Sequence, residues 1–368
     1  MGLRFRVRQV AKMGMEHIIL PFLYFIFSFQ RTDRSLVIFA DAHHNSCPYS
    51  MALLRHRVRK LGRYKVRDFY LDMGSCSVFK MICFIISFEK AYAKAGHVFI
   101  CDNFLPVSAC KKKKGTFVTQ LWHSGGLLKK AGYDSEDTIP GIYKGEVFRN
   151  YDLWTVSSPA CTDIIKTSMH QPDGVVKPTG ISRSDLYFSS KRNERLRAEF
   201  FAAYPEAKGK TVVLWAPTFR GNAGQPYVVG EEAVEKAFSD DRFFLIKKLH
   251  PHMKGSDAPD FPSERLFPAA DILITDYSSI VFDYLAYSKP FVFFAPDLDE
   301  FLDKRGLYVD YFSFPTTVAK NSWELRAAAE HEFRYRNADE LKECYRFHMS
   351  SCDGKATERI LKAAGLTD

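Results

Sequence analysis

Two histidines of this 368-residue chain each end an apolar segment, where a side chain could take part in acid–base or phosphate chemistry. His123 ends FVTQLWH, and His250 ends FFLIKKLH beside two lysines. A histidine at the end of a strand could act as a general base on an alcohol, or contact a phosphate. His250 and His252 have no Cys or acidic residue beside them, so we predict no metal site.

A glycine turn follows the first histidine. Ser124, Gly125 and Gly126 lead into LLKKAG, which opens a helical pattern. Such a turn would leave His123 exposed, as a base for an alcohol acceptor must be. The same letters could form an oxyanion loop of a hydrolase, but the chain has no G-x-S-x-G motif, which argues against a serine hydrolase.

The segment DILITDYSSIVFDYLAYSKPFVFFAP (271–296) predicts a strand, a turn, a helix and a second buried strand. Ser278 or Ser279 is placed to cap the helix, and free backbone N–H groups there could hold a pyrophosphate. Ordinary helix capping explains the same serines. Asp283, one turn into the helix, could accept a hydrogen bond from a ribose hydroxyl or merely face solvent.

An arginine follows another predicted strand. WAPTFRG (215–221) presents Arg220 after a Pro-Thr turn. The planar guanidinium of arginine suits phosphate oxygens because it donates paired, charge-assisted hydrogen bonds. We therefore count Arg220 among the candidate phosphate ligands.

Strands that alternate with helical patterns must position these groups, which is typical of parallel βαβ units. The predicted strands fall in 35–41, 97–103, 115–123, 152–158, 174–180, 211–219, 243–250, 271–276 and 290–296. We predict an α/β fold of two doubly wound, Rossmann-like domains that face a cleft, with ligands at the carboxyl ends of the strands. The predicted divisions are residues 1–30, 31–190, 191–321 and 322–368.

The first division, residues 1–30, is predicted to be a membrane-associating helix. Its apolar run from about His17 to Phe29 lies between basic clusters and contains Pro21. The run is shorter than the ~20 apolar residues that span a bilayer. We therefore expect it to lie in an anionic membrane interface, with a buried core helix as the alternative.

Composition limits the class of protein. Hydrophobic residues make up 46% of the chain, and Lys and Arg exceed Asp and Glu by 9, which favours an anionic partner. None of the eight cysteines forms a C-x-x-C pair, so we expect reduced thiols in a cytosolic enzyme.

Taken in order, WHSGGLLKKAG, WAPTFR, KLHPH, DILITDYSSIVFDYLAYSKPFVFF and RGLYVDY resemble the CDP-glycerol glycerophosphotransferase family of teichoic-acid primases, polymerases and capsule enzymes. The resemblance spans roughly residues 35–315. It implies the two-domain architecture called GT-B and a peripheral place on the cytoplasmic face of the cell membrane. The chain departs from the family where Ser124-Gly125-Gly126 replaces the usual Gly-Thr-Pro, and where FSFPTT replaces a Pro-Gly-Pro.

The resemblance also implies roles for single residues. His123 matches the family's proposed base, and His250 matches its second essential histidine at the donor phosphates. Asp283 matches an acidic residue of the donor domain and would contact the ribose or the alditol. Ser124, Gly125 and Gly126 form the loop that would hold the acceptor or the alditol. The positions that match donor-phosphate contacts are Arg220, Thr275, Ser278 and Ser279.

The reaction that follows from the resemblance is transfer of an alditol phosphate, with CDP-glycerol as the first choice among CDP-alditols. The acceptor would be a hydroxyl of a lipid-linked or polymeric molecule, CMP would leave, and no cofactor, metal or nucleic acid would take part. The alternatives are a nucleotide-sugar glycosyltransferase or epimerase of the same architecture, and a scaffolding protein without activity.

Overall fold

The computed structural model describes residues 3–136, 139–222, 225–249, 253, 257, 261–335 and 337–367. The chain divides into two compact units. Unit 1 consists of Met1–His123, Ala131–Asp185 and Ser351–Asp368, and unit 2 consists of Ser124–Lys130 and Leu186–Ser350.

Unit 1 is built on a parallel sheet of six strands in the order β2-β1-β3-β4-β5-β6. The strands are β1 (Asp33–Asp41), β2 (Lys65–Tyr70), β3 (Ala95–Ile100), β4 (Phe117–Gln120), β5 (Leu153–Thr155) and β6 (Val176–Lys177). Strands β1 and β3 are largely apolar and buried over most of their length, as expected of a parallel sheet covered on both faces. All but β2 were predicted from the sequence.

The helices of unit 1, apart from its last helix, precede these strands or lie between them. They are α1 (Leu3–Gly14), α2 (Leu20–Ser28), α3 (Tyr49–Lys60), α4 (Val78–Tyr92), α5 (Leu105–Ser108) and α6 (Thr162–Ser168). The π-helical turn Met15–Ile19 joins α1 to α2 without a break. Apolar residues of α3 pack on β1 and β3, which buries Met51, Leu54, Val37 and Phe99 in one core.

Unit 2 contains a second parallel sheet, of five strands in the order β10-β7-β11-β12-β13, and an antiparallel hairpin of β8 and β9. The strands are β7 (Thr211–Trp215), β8 (Arg220–Asn222), β9 (Gln225–Tyr227), β10 (Phe243–Lys247), β11 (Ile272–Thr275), β12 (Phe291–Phe294) and β13 (Val318–Ala319). The two parallel sheets confirm the predicted fold class.

The helices of unit 2 follow the same alternation. They are α7 (Ser190–Ala203), α8 (Glu231–Ala237), α9 (Ser263–Leu266), α10 (Ile280–Leu285), α11 (Leu298–Lys304), α12 (Ser322–Tyr335) and α13 (Ala338–Met349). The chain then returns to unit 1 for its last helix, α14 (Ala356–Ala363).

The observed units differ from the predicted divisions in three places. Residues 1–30 are part of unit 1, Ser124–Lys130 belongs to unit 2, and the predicted C-terminal division 322–368 is split at Ser350. Asp185 holds the start of the last helix in unit 1. Its carboxylate accepts hydrogen bonds from the backbone N–H groups of Ala356 and Thr357, at 2.9 and 2.8 Å. Such capping contacts join residues that are far apart in sequence and leave no local pattern.

The N-terminal helix lies within the predicted division 1–30, but its apolar stretch is longer than the predicted run from about His17 to Phe29. Its residues Gln9–Ser28 form a 20-residue helical stretch that is long and apolar enough, by length and composition only, to cross a membrane. Glu16 within this stretch is fully buried against unit 1, where Tyr143 Oη donates to Glu16 Oε2 and the Glu146 N–H donates to Glu16 Oε1. The helix is therefore packed along unit 1 through a polar anchor.

Candidate active site

His123 lies just beyond β4 in unit 1, as the sequence predicted. About half of its side chain is exposed, and its Nδ1 lies 3.3 Å from Oδ2 of Asp102, which follows β3. Strands β3 and β4 are neighbours in the sheet, so their carboxyl ends bring the two side chains together. A carboxylate at Nδ1 orients the ring and leaves Nε2 to take a proton.

The backbone before the histidine is strained. Trp122 has φ of 56°, a left-handed conformation that bulky residues rarely adopt. Its N–H donates to Gln120 Oε1 at 3.0 Å, and Arg183 Nη1 donates to the carbonyl oxygen of His123 at 2.8 Å. Strain held in place by such contacts concentrates at functional sites, and here it fixes the direction of the His123 side chain.

A second histidine–carboxylate pair lies at the end of β1, next to β3 in the sheet. His44 Nδ1 is 2.8 Å from Asp41 Oδ2, which also accepts from the backbone N–H groups of His43 and His44 at 2.8 Å each. The hydrogen bond to Asp41 raises the pKa of His44. His43 Nε2 lies 4.0 Å from Asp102, so three histidines and two carboxylates line this edge of the sheet.

The sequence analysis missed Asp41, Asp102, His43 and His44. The two aspartates could have been found from their place in the sequence, because the apolar segment SLVIFAD ends on Asp41 and HVFICD ends on Asp102. Each carboxylate stands at the carboxyl end of a predicted strand, which is where functional groups gather in open parallel sheets. In the part of the chain that the structure describes, no group of three or more His, Cys, Asp or Glu is arranged to hold a metal ion.

The loop predicted to hold the acceptor leaves unit 1 immediately after His123. Ser124 is half-buried, and Gly125 and Gly126 are buried in unit 2. Gly126 has φ of 55°, and a Cβ there would lie 2.5 Å from the ring of Phe282. Glycine is therefore required at 126 by both conformation and space. The role of the loop in acceptor binding stays a prediction.

Arg220 in unit 2 is already paired with two carboxylates. Its Nε donates to Asp297 Oδ2 at 2.8 Å and its Nη2 donates to Asp276 Oδ2 at 3.0 Å. Two more hydrogen bonds go to Asp297 Oδ1 at 3.1 Å and to the carbonyl oxygen of Thr218 at 2.7 Å. Four of the five N–H groups of the guanidinium are thus in use. Arg220 thereby links β8 to the residues that follow β11 and β12. Its contact with a donor phosphate stays a prediction.

The other predicted phosphate contacts differ in how far they are buried. The Thr275 side chain is buried, and its hydroxyl donates to the carbonyl oxygen of Ala216 at 2.7 Å, joining β11 to the end of β7. Ser278 and Ser279 are half-buried, and Ser278 Oγ accepts a long hydrogen bond of 3.4 Å from the Ile280 N–H. Ser279 occupies the N-cap position of α10 without a side-chain capping bond. Of the three, the two serines retain access to a ligand.

Asp283 neither faces solvent nor is open to a ribose in this structure. It is 4% exposed, and the hydroxyl of Tyr187 donates to its Oδ1 at 3.0 Å. His250, the second predicted catalytic histidine, lies outside the described residues. The structure therefore adds nothing on His250, and its role stays a prediction.

Lys129 is a cation that the sequence analysis did not single out. It belongs to the crossover segment and lies in unit 2, with its Nζ 3.5 Å from the hydroxyl of Thr218. Burial and the nearby charges of Arg305 and Arg220 lower the pKa of Lys129 to about 8, although Asp276 opposes the shift. A lysine that is not exposed, next to the Arg220 network, marks this edge of the second sheet as electropositive.

Several known proteins are similar in sequence to this chain. A poly(ribitol-phosphate) polymerase of Bacillus spizizenii is 32% identical over 307 residues, which is 77% of this chain and 48% of the polymerase. A ribitol-phosphate primase of the same species is 30% identical over 70% of this chain and 72% of the primase. A glycerol-phosphate primase of Bacillus subtilis is 30% identical over 72% of each chain. This chain therefore spans about half of the polymerase and about seven tenths of the primases.

Solved structures share the fold. The wall teichoic acid polymerase TagF superposes with a TM-score of 0.72 at 18% identity, over 98% of this chain and 97% of TagF. The UDP-GlcNAc 2-epimerase of Neisseria meningitidis gives a TM-score of 0.57 at 12% identity, over 90% of this chain and 99% of the epimerase. The family model described as CDP-glycerol:poly(glycerophosphate) glycerophosphotransferase matches residues 22–364. The chain belongs to this family.

Proposed function

We propose that this chain transfers an alditol phosphate from a CDP-alditol to a hydroxyl group of a lipid-linked or polymeric acceptor. The observation that carries the proposal is the His123–Asp102 pair at the carboxyl end of the first sheet. Relatives named for glycerol phosphate and for ribitol phosphate both match at about 30% identity, which supports alditols as the transferred class. A TagF variant was also solved after a soak with CDPG.

In the proposed reaction the acceptor oxygen forms a bond to the β-phosphorus of the CDP-alditol. The bond from that phosphorus to the bridging oxygen breaks, and CMP leaves with this oxygen. His123 takes the proton of the acceptor hydroxyl, and Asp102 stabilises the resulting imidazolium. A well-placed base contributes roughly 10²–10⁴-fold, so electrostatic stabilisation by the donor site must supply much of the remaining acceleration. The CDP-alditol is a substrate, and the proposal includes no cofactor.

The experiment that tests the proposal is a donor panel. The purified protein is incubated with CDP-glycerol, CDP-ribitol, UDP-GlcNAc and an acceptor, and the released nucleotide is identified by chromatography. Acceptor-dependent CMP release from a CDP-alditol alone supports the proposal. UDP release from UDP-GlcNAc, or its conversion to an epimer, would support instead the nucleotide-sugar activity that fits the fold of the solved epimerases.

We further propose that the protein binds the cytoplasmic face of the cell membrane through its N-terminal helix. Apolar side chains form a stripe at helical spacing along α2 and its C-cap residue and remain exposed, namely Phe22, Phe25, Ile26 and Phe29. The buried Glu16 argues for a helix that lies along the surface rather than across the bilayer, because crossing would separate its carboxylate from Tyr143 and Glu146.

Helix α4 supports the same proposal, because α2 packs on it through contacts that include the rings of Tyr24 and Tyr92 at 5.1 Å. The first half of α4 exposes a further group of large apolar side chains, Val78, Phe79, Ile82 and Ile86. Exposed apolar groups on two packed helices are typical of a surface that meets lipid. A lipid-linked acceptor would be presented at such a surface.

A further inference from the structure

The donor-side edge of unit 2 carries more positive than negative charge. Five charged groups influence one another there: the cations Lys129, Arg220 and Arg305, and the carboxylates Asp276 and Asp297. Arg220 forms hydrogen-bonded ion pairs with both carboxylates. The set therefore has one cation more than it has carboxylates, before any ligand binds.

In the part of the chain that the structure describes, Lys129 forms no ion pair. Among the described residues, the polar contact of its side chain is the 3.5 Å approach of Nζ to Thr218 Oγ1. Thr218 lies three residues beyond β7, and its N–H donates to Asp276 Oδ1 at 2.8 Å. The ammonium therefore sits at the carboxyl end of the strand where the nucleotide donor is expected.

The backbone holds Lys129 in place on both sides. The Tyr308 N–H donates to the carbonyl oxygen of Leu128 at 2.9 Å, and the Lys130 N–H donates to that of Gly306 at 3.2 Å. Lys129 itself forms a β-bridge with Leu307. The crossover segment is thus paired like a short strand with residues 306–308, which fixes the backbone from which the Lys129 side chain extends.

We propose that Lys129 binds the pyrophosphate of the nucleotide donor and supplies the positive charge that the paired Arg220 cannot. This inference depends on the proposed function and adds to it a residue outside every motif assigned to the donor. During transfer the same ammonium would stabilise the negative charge that the leaving CMP acquires. Arg220 then has a positioning role, because it fixes the loop on which Thr218 lies.

A consequence for stability separates this role from a structural one. Burying a cation without a carboxylate costs free energy, and the lowered pKa of Lys129 is a sign of that cost. Replacing Lys129 by Gln, which keeps a donor for Thr218, should leave the melting temperature of the protein unchanged or higher. A lysine that served mainly to hold the crossover segment would lower it.

The test measures ligand affinity by calorimetry for the wild-type chain, Lys129→Gln, Lys129→Arg and the neighbouring control Lys130→Gln. The probes are CDP-glycerol, CDP-ribitol and cytidine. We expect Lys129→Gln to weaken binding of the CDP-alditol roughly ten- to hundredfold, the usual range for a charged hydrogen bond, with little change for cytidine. Lys130→Gln should bind like the wild type.

A pH series gives a second signature. The pyrophosphate diester does not titrate between pH 7 and 9, so wild-type affinity should fall over this interval as Lys129, with its pKa of about 8, loses its proton. Lys129→Arg should bind with little dependence on pH, because arginine stays charged. Wild-type binding that Lys129→Gln leaves intact would overturn the role of Lys129 alone. Failure of the wild-type chain to bind either CDP-alditol would overturn the proposed function together with it.

Discussion

Arg220 shows how one residue can join separate strand ends. Its side chain and those of Asp276 and Asp297 are at most 16% exposed, so the network is largely shielded from water. Removing one partner of a buried ion pair leaves an uncompensated charge, and here the loss of Arg220 would leave two.

We expect Arg220→Gln to lower the free energy of unfolding by about 3–5 kcal/mol, the range for breaking a buried pair. Urea denaturation measures this. The matched control is Arg242→Gln, whose side chain is 68% exposed and pairs with Asp240. Water and salt screen an exposed pair, so the control should change the free energy of unfolding little. Equal losses in the two variants would contradict a structural role for the Arg220 network.

At this scale the sequence could predict where functional groups stand but not what they touch. His123 and Arg220 follow recognisable strand patterns: His123 lies beyond β4, and Arg220 lies beyond β7 as the first residue of β8. The partners of Arg220 are 56 and 77 residues away in the chain, so no local pattern indicates them. Asp283 was predicted to contact a ribose. In the structure it accepts a hydrogen bond from Tyr187, which lies 96 residues earlier in the chain.

Helix α13 contributes a buried histidine to the packing of unit 2. The ring of His348 lies 4.7 Å from that of Phe282 on α10 and 5.2 Å from that of Phe314. Burial among these rings lowers the pKa of His348 to about 4. The folded protein therefore keeps this ring neutral at pH values where an unfolded chain, with a pKa of about 6.5, would protonate it.

This difference predicts a pH dependence of stability. Between pH 6.5 and 4 the unfolded state binds the proton and the folded state does not, so the free energy of unfolding falls as the pH falls. Going from pH 7 to pH 5, His348 should account for a loss of about 2 kcal/mol, measured by urea unfolding. His348→Leu should remove that part of the slope, whereas His331→Gln, on the exposed side of α12, should keep it. An unchanged slope in His348→Leu would contradict the prediction.

Most elements could be predicted from their apolar runs, and the exceptions have a physical reason. Strand β2 reads KVRDFY and lies at the edge of its sheet, where one residue in six is buried, so it lacks the apolar run of a central strand. Strand β13 contains two residues and is too short to produce any pattern. The first turns of the N-terminal helix are polar, so the apolar run marks only the later part of this helix.

On unit 1, exposed apolar side chains of α2 and α4 form the proposed lipid-facing surface, and basic residues flank the apolar run of the N-terminal helix. If α2 and α4 meet lipid, then Phe25→Asp and Phe79→Asp should each weaken binding to vesicles of anionic lipid, because a charge replaces an inserted ring. Co-sedimentation measures the bound fraction. Phe312→Asp is the control, since Phe312 is exposed to a similar degree in unit 2. If all three variants, the control included, weakened vesicle binding equally, the proposed lipid contact of α2 and α4 would be wrong. It would also be wrong if no variant weakened binding.

The division into two units was predictable in kind but not in detail. Alternating strands and helices predict two parallel sheets, and both are present. The chain crosses between units after His123, Lys130, Asp185 and Ser350. These crossings depend on long-range contacts, such as the one between Asp185 and the start of α14, which a sequence pattern does not contain.

The central claim is that the chain transfers alditol phosphate with His123 as the base. The most direct measurement compares acceptor-dependent CMP release from CDP-glycerol and CDP-ribitol by the wild-type chain and by His123→Ala, together with the affinity of each protein for the donor. We predict turnover by the wild type, a loss of roughly 10²-fold or more in His123→Ala, and nearly equal donor affinity. CMP release by His123→Ala at the wild-type rate would contradict the account.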